Sequence, residues 1–150
     1  MADVYDLLTL PEAKASLRID VNDVLSDTLL ASVVTAVSRR LDLYIGPTVV
    51  RSVSGEVHDG GHPRIELRYC PVQVVGSLTE YQSSNPVPLT EKTPTTLPTD
   101  GWHGERYAPD PTLYSGVIVR TVDDFPRRFW GGVGNVVCSY TAGRVSSTTS

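Results

Sequence analysis

The residues of this 150-residue chain best equipped for chemistry fall in three short clusters. His58, Asp59 and His62 bring two imidazoles and a carboxylate close together, a spacing that could hold a metal ion if the loop curled. Zinc sites take three or four protein ligands, no further candidate lies nearby, and Asp-Gly-Gly at 59–61 is itself a turn signal. A solvated hairpin turn is expected there. Asp123 and Asp124 form a carboxylate pair, but paired carboxylates do acid–base work across a gap of roughly 5–10 Å. Neighbours on an extended chain face apart, which again predicts a solvated turn. Gly131-Gly132-Val133-Gly134 imitates a phosphate-binding loop without the Lys-Ser/Thr and the helix start that such a loop needs. Ser84, Ser146, Ser147 and Ser150 have no histidine in a recognisable setting. No catalytic, cofactor or metal site is expected, and the chain does not read as an enzyme.

Aromatic residues suggest binding instead. Residues 82–115 contain Pro86, Pro88, Pro94, Pro98, Pro109 and Pro111, a threonine-rich run, and Trp102, Tyr107 and Tyr114. Structureless loops of that length are uncommon in compact domains, so a short hairpin within an arm or contact loop is expected. Aromatics on an exposed arm are typical anchors for protein contacts. Packing of the same rings onto the chain's own sheet is the alternative.

The elements that must position these residues begin with two helices. Thr9 and Glu12 form a capping box with Pro11 in the first turn, predicting a helix over Leu10–Leu17. Over residues 26–46, Leu29, Leu30, Val33, Val34, Val37, Leu41, Tyr44 and Ile45 recur at three- and four-residue steps, with Ser32, Ser38, Arg39 and Asp42 mostly on the other side. Ser26 or Asn22 can cap this long helix, and Gly46-Pro47 stops it. Its apolar stripe is too broad to leave in water. After Pro47 the period changes to two: 49–57, 64–69, 72–81, 116–122 and 136–141 read as strands. With no crossover helix among them, antiparallel pairing is expected. The fold class is α+β, an N-terminal pair of helices, short then long, packed with an antiparallel β domain that carries a long Pro-rich loop. The expected divisions are 1–47 for the helical part, 48–143 for the β domain with its loop at 82–115, and 144–150 as a flexible tail.

Bulk composition removes other classes. The net charge of −4 argues against electrostatic DNA gripping, and the second helix starts with Asp23, Ser26 and Asp27 rather than the basic or amide side chains that read bases. No apolar run approaches the length of a bilayer span, and the N-terminus lacks a signal-peptide pattern. Cys70 and Cys138 do not make a disulfide framework and point to a reducing compartment.

Three segments together resemble one family. LLTLPEAKASLRID followed by SDTLLASVVTAVSRRLDLYIG is similar to the N-terminal helices of head-to-tail adaptor (connector) proteins of tailed bacteriophages, through Leu8, Thr9, Leu10, Glu12, Tyr44 and Gly46. Tyr69-Cys70-Pro71-Val72-Gln73-Val74-Val75 resembles the family's Pro-Val-x-x-Val strand, and Asn135 to Gly143 its closing strand ending in Tyr-Thr-Ala-Gly. The resemblance implies a structural virion protein in the neck, assembled in the host cytoplasm. It would form a ring with copies of itself, usually twelve, beneath the portal protein. The ring would extend the channel through which genomic DNA passes without sequence-specific binding, and offer a platform to the next neck or tail component, with no membrane involved. Family members commonly continue past the Ala-Gly into further helices, whereas seven residues follow Gly143 here. Cover for the long helix is therefore expected from Leu10–Leu17, the β domain and a neighbouring subunit. The portal or intersubunit contacts expected are Trp102, Tyr107, Tyr114, Arg144, Val145, Leu30, Val34 and Val37. A stand-alone β-rich protein- or glycan-binding module using Trp102, Tyr107 and Trp130 is the competing reading.

Overall fold

Local signals near the N-terminus build what they promise. In the computed structural model, which describes residue 3 and residues 5–145, α1 spans Leu10–Leu17 and opens on the capping box: the Thr9 N–H donates to the Glu12 carboxylate at 2.7 Å and the Glu12 N–H to Thr9 Oγ1 at 3.4 Å. These bonds from Thr9 hold the Glu12 carboxyl below its ordinary pKa. Lys14 is buried, and its ammonium donates to the Val21 carbonyl at 3.1 Å and the Asp23 carbonyl at 2.8 Å while pairing with Asp27. One cation thus ties α1 to the turn and to the first residue of α2 (Asp27–Ile45). Ser26 stands at the N-cap of α2 without a side-chain capping bond, and Gly46 ends it at φ 77°. Asp42, in the last turn, accepts from the Thr48 N–H at 2.9 Å and hydroxyl at 2.7 Å, and pairs with Arg51.

The rest is strand: β1 Arg51–His58, β2 Arg64–Glu66, β3 Val72–Gln82, β4 Asn85–Pro88, β5 Thr90–Glu91, β6 Asp100–Tyr107, β7 Asp110–Val122, β8 Phe125–Pro126 and β9 Val136–Ala142. They form one sheet in the order β1-β9-β3-β7-β6-β5, with β2 and β8 on β7 and β4 on β3. The fold is α+β, two helices followed by a mixed, mostly antiparallel sheet. Pairing departs from the all-antiparallel expectation where β5 runs parallel to β6 and at the isolated parallel bridge between Val49 and Val145.

Residues 82–115 contain the expected hairpin, β6–β7, but the expected arm is corrected, because the segment is part of the sheet. β4, β5, β6 and the first half of β7 run through it, and β6 pairs with β7 from Asp100–Val122 to Tyr107–Asp110. The prolines sit where ladder donors are dispensable: Pro86 and Pro88 on β4, a short strand that bonds only β3, and Pro109 and Pro111 at the β6–β7 turn.

Period-two burial builds the sheet core. β9 alternates with Val136, Cys138, Tyr140 and Ala142 inward, joined by Leu78 of β3, Ile118 of β7, Trp102 of β6 and Phe129. Burial pushes the Cys138 thiol up to about 12, with the Glu56 charge adding to the effect. Cys70 is exposed, and the two cysteines are not bridged.

The chain makes two compact units: a helical unit that runs to Arg51 and is rejoined at Gly143, and a sheet unit, Ser52–Ala142. Arg144 and Val145, expected to start a flexible tail, are instead fastened within the helical unit. Both of their N–H groups donate to the Thr48 carbonyl, at 3.0 and 2.9 Å, the Val50 N–H donates to the Val145 carbonyl at 2.8 Å, and Arg144 donates to the Ile45 carbonyl at 2.6 Å. Gly143 is required for this return, because a Cβ there would lie 2.6 Å from the Val50 Cα. Ser146 to Ser150 lie outside the described residues.

Candidate interaction surface on the helical unit

Helix α2 carries two stripes. Ala31, Thr35, Ser38 and Asp42, spaced 4, 3 and 4, run along one side; Leu29, Val33, Val37, Leu41 and Tyr44 run along roughly the opposite side at 3.6 residues per turn. Amphipathic logic sends the second stripe inward. The structure turns the first inward, with Thr35 and Asp42 half-buried. Ala31 and Ser38 are the buried residues of α2, whereas Leu29 is 67% exposed, Val33 49%, Val37 53% and Tyr44 72%.

The reason lies in the lead segment before α1. Buried Asp6 accepts from the Thr35 hydroxyl at 2.8 Å and from the Asp3 N–H at 2.8 Å, and the Leu7 N–H donates to Ser38 Oγ at 3.0 Å. Farther along the same side, Asp42 engages Thr48 and Arg51, and the Arg51 guanidinium lies 4.6 Å from the centre of the Tyr5 ring. Burial pushes the Asp42 carboxyl up, but the Thr48 bonds and Arg51 outweigh it and hold it below the ordinary carboxylate value. The polar side is covered because its partners are polar, and the apolar side is left facing out.

Between the helices and the lead segment lies a groove of about 530 Å³ walled by Leu7, Leu8, Leu17, Val33, Val37 and Leu41. Arg40 stands amid the outward stripe, donating to the Tyr44 hydroxyl at 3.1 Å with its guanidinium 5.3 Å from that ring. The connection between the helices is also apolar and exposed: Val21 at 63%, Val24 at 73% and Leu25 at 92%. Single exposed leucines need no explanation; a contiguous apolar face does.

Of the expected contact residues, Leu30 and Val34 are half-buried flanks of this surface and Val37 lies on it. Arg144 and Val145 are exposed side chains on backbone tied to Thr48. Trp102 and Tyr114 are corrected: both are buried, their rings 6.3 Å apart at 58°, and Tyr114 donates to Glu91 beneath the Arg106 guanidinium 4.3 Å from its centre. Gly104 is small to admit that ring, since a Cβ would meet it at 2.4 Å. Tyr107 is half-buried at the β6–β7 turn. Trp130 is half-exposed while Trp102 is buried, so the aromatic trio of the competing reading is not one exposed cluster.

The clusters considered for catalysis are engaged structurally. His58 faces Glu56 at 2.9 Å, and Asp59 accepts from the Gly134 N–H at 2.6 Å. Asp123 and Asp124 form the β7–β8 turn at φ 48° and 70°, with Asp124 paired to Lys92. A cleft of about 590 Å³ on the sheet unit contains Arg64 and Lys92, each paired with an acidic side chain of the same cleft, Glu105 and Asp124. Among the described residues no three His, Cys, Asp or Glu side chains could hold a metal ion, and no helix is long and apolar enough to cross a membrane.

Sequence reasoning missed a buried ionic network. Glu80 and Arg120 are 1% and 4% exposed and lie 3.4 Å apart; Arg120 also pairs with Asp100 and donates to the Thr121 carbonyl at 3.0 Å, while Glu80 accepts from the Trp130 N–H at 2.5 Å. Burial alone would lower the Arg120 pKa; Asp100 and Glu80 reverse this and raise it. The available signal was parity, for Glu80 and Arg120 each follow a core residue, Leu78 and Ile118, by two positions along a strand.

No protein-family model, curated protein or solved structure matches this chain.

Proposed function

We propose that this chain is a head-to-tail adaptor of a tailed bacteriophage, a structural protein that forms a ring with copies of itself beneath the portal, carries the DNA channel onward and seats the next neck component. The observation that carries the reading is the outward apolar stripe of α2. A chain that invests its hydrogen-bonding residues in fixing the polar side of a helix, and leaves Leu29, Val33, Val37 and Tyr44 in water, gains by being covered in an assembly. The motif resemblance of both helices and of the closing strand names the kind of assembly. A net charge of −4 suits a conduit for DNA, because like charge repels the phosphate backbone. In this reading the chain needs neither catalysis nor cofactor.

Electron microscopy of the full chain mixed with a portal from the same phage tests it. Rings stacked coaxially on the portal are expected. A chain that never associates with portal, and tailed particles that assemble normally without it, would overturn the assignment.

A further inference from the structure

The helical unit presents two apolar features at different places, and they differ in kind. One is a groove walled by Leu17, Val33, Val37 and Leu41, and beside it the outward stripe, where Arg40 stands against Tyr44. The other is a knob, the α1–α2 connection, where Val24 and Leu25 stand 73% and 92% exposed. Exposed Asp20 and Asp23 flank the knob, with Arg18 nearby in the chain and the buried Lys14 ammonium beneath the connection. The knob is held rigidly: Lys14 donates to the carbonyls of Val21 and Asp23, the Asp23 carboxylate accepts from the Leu25 N–H at 3.0 Å, and that of Asp20 from the Asn22 N–H at 2.8 Å. A rigid apolar protrusion loses little conformational freedom on docking. Leu25 is 92% exposed, so the knob does not fill the groove of its own chain.

We infer that the occupant of the groove is the α1–α2 connection of a second copy of this chain. Val24 and Leu25 of one copy seat against Val33, Val37 and Leu41 of the next, with Asp20 and Asp23 facing Arg40. The contact joins two different patches and is therefore heterologous; such contacts close into rings or run on as filaments. This rests on the adaptor reading for its biological setting, but its chemistry stands on the two patches alone.

The test is sedimentation of the full chain over a range of concentrations, comparing wild type with Leu25→Asp and Val37→Asp. Both positions are exposed, and circular dichroism should show both variants folded. The wild type gains mass beyond a pair, and each variant weakens association by roughly a hundredfold. Mixing the two variants restores one good contact, and a one-to-one pair forms that grows no further. Arg40→Asp weakens association, and so does Asp23→Asn, whose amide oxygen can still accept from the Leu25 N–H. A wild type that stays monomeric overturns the inference while leaving the adaptor reading to the portal experiment. Self-association lost in Val37→Asp but untouched in Leu25→Asp overturns it in favour of stripe-to-stripe pairing.

Discussion

The two units of this chain solve the same problem in opposite ways. The sheet unit builds a contiguous apolar core from period-two strands, with Leu97, Phe125 and Val133 left outside it, and even buries a Glu80–Arg120 pair, satisfied on several sides. The helical unit hides Asp6, Lys14 and Ser38 and leaves leucines and valines outside. Burial of an apolar side chain contributes about 1.5–3 kcal/mol; the sheet unit takes much of that gain within one chain, and in the proposed reading the helical unit takes it by association. The difference teaches that amphipathicity marks an apolar face without fixing whether the chain itself covers it.

That contrast can be broken most forcefully in the sheet. Arg120→Met strands Glu80 in an apolar interior, and the expected loss is about 3–5 kcal/mol of stability, read as a lower urea midpoint with an unchanged slope. Replacing both partners with apolar residues should recover most of it, because the cost lies in the orphaned charge.

The next experiment sets the units side by side. Phe129, 1% exposed, should cost about 3–5 kcal/mol when cut to alanine. Val33→Ala on the outward stripe should cost the monomer less than about 0.5 kcal/mol, with its effect appearing in association instead. Equal losses at the two positions would mean that α2 is already covered within the monomer.

The smallest expected effect concerns acid. Asp42 has a folded pKa below its unfolded value, so its contribution is complete above the ordinary carboxylate value of about 3.9 and is lost as pH falls through the lower folded value. Asp42→Asn should cost on the order of 1 kcal/mol at neutral pH and differ less from wild type at pH 3 in thermal melts. A constant difference at both pH values would remove the Thr48–Arg51 arrangement as the cause.

Much of this architecture was legible in the residues. The capping box Thr9–Glu12, the stop at Gly46 and the strand at 116–122 are local signals; the first two formed where the local chemistry required, and the strand formed with its start extended back to Asp110. What could not be read was rotation. Periodicity shows that α2 has two sides, but the choice of inner side was made by Asp6 and the Leu7 N–H, which reach Thr35 and Ser38 across about thirty residues of sequence. The candidate contacts divided for a related reason. Val37 belongs to a surface defined by its own helix, whereas Trp102 and Tyr114 depended on whether 82–115 formed strands, and the prolines that suggested an arm are tolerated at strand edges and turns. The Glu80–Arg120 pair joins strands forty residues apart, so only the strand register reveals it.

The most direct measurement is a reconstruction of the assembled oligomer at side-chain resolution. Leu29, Val33, Val37 and Tyr44 of each copy should be covered by another chain, with the α1–α2 connection of a neighbour against Val37. An assembly in which those four side chains still face solvent would contradict the account.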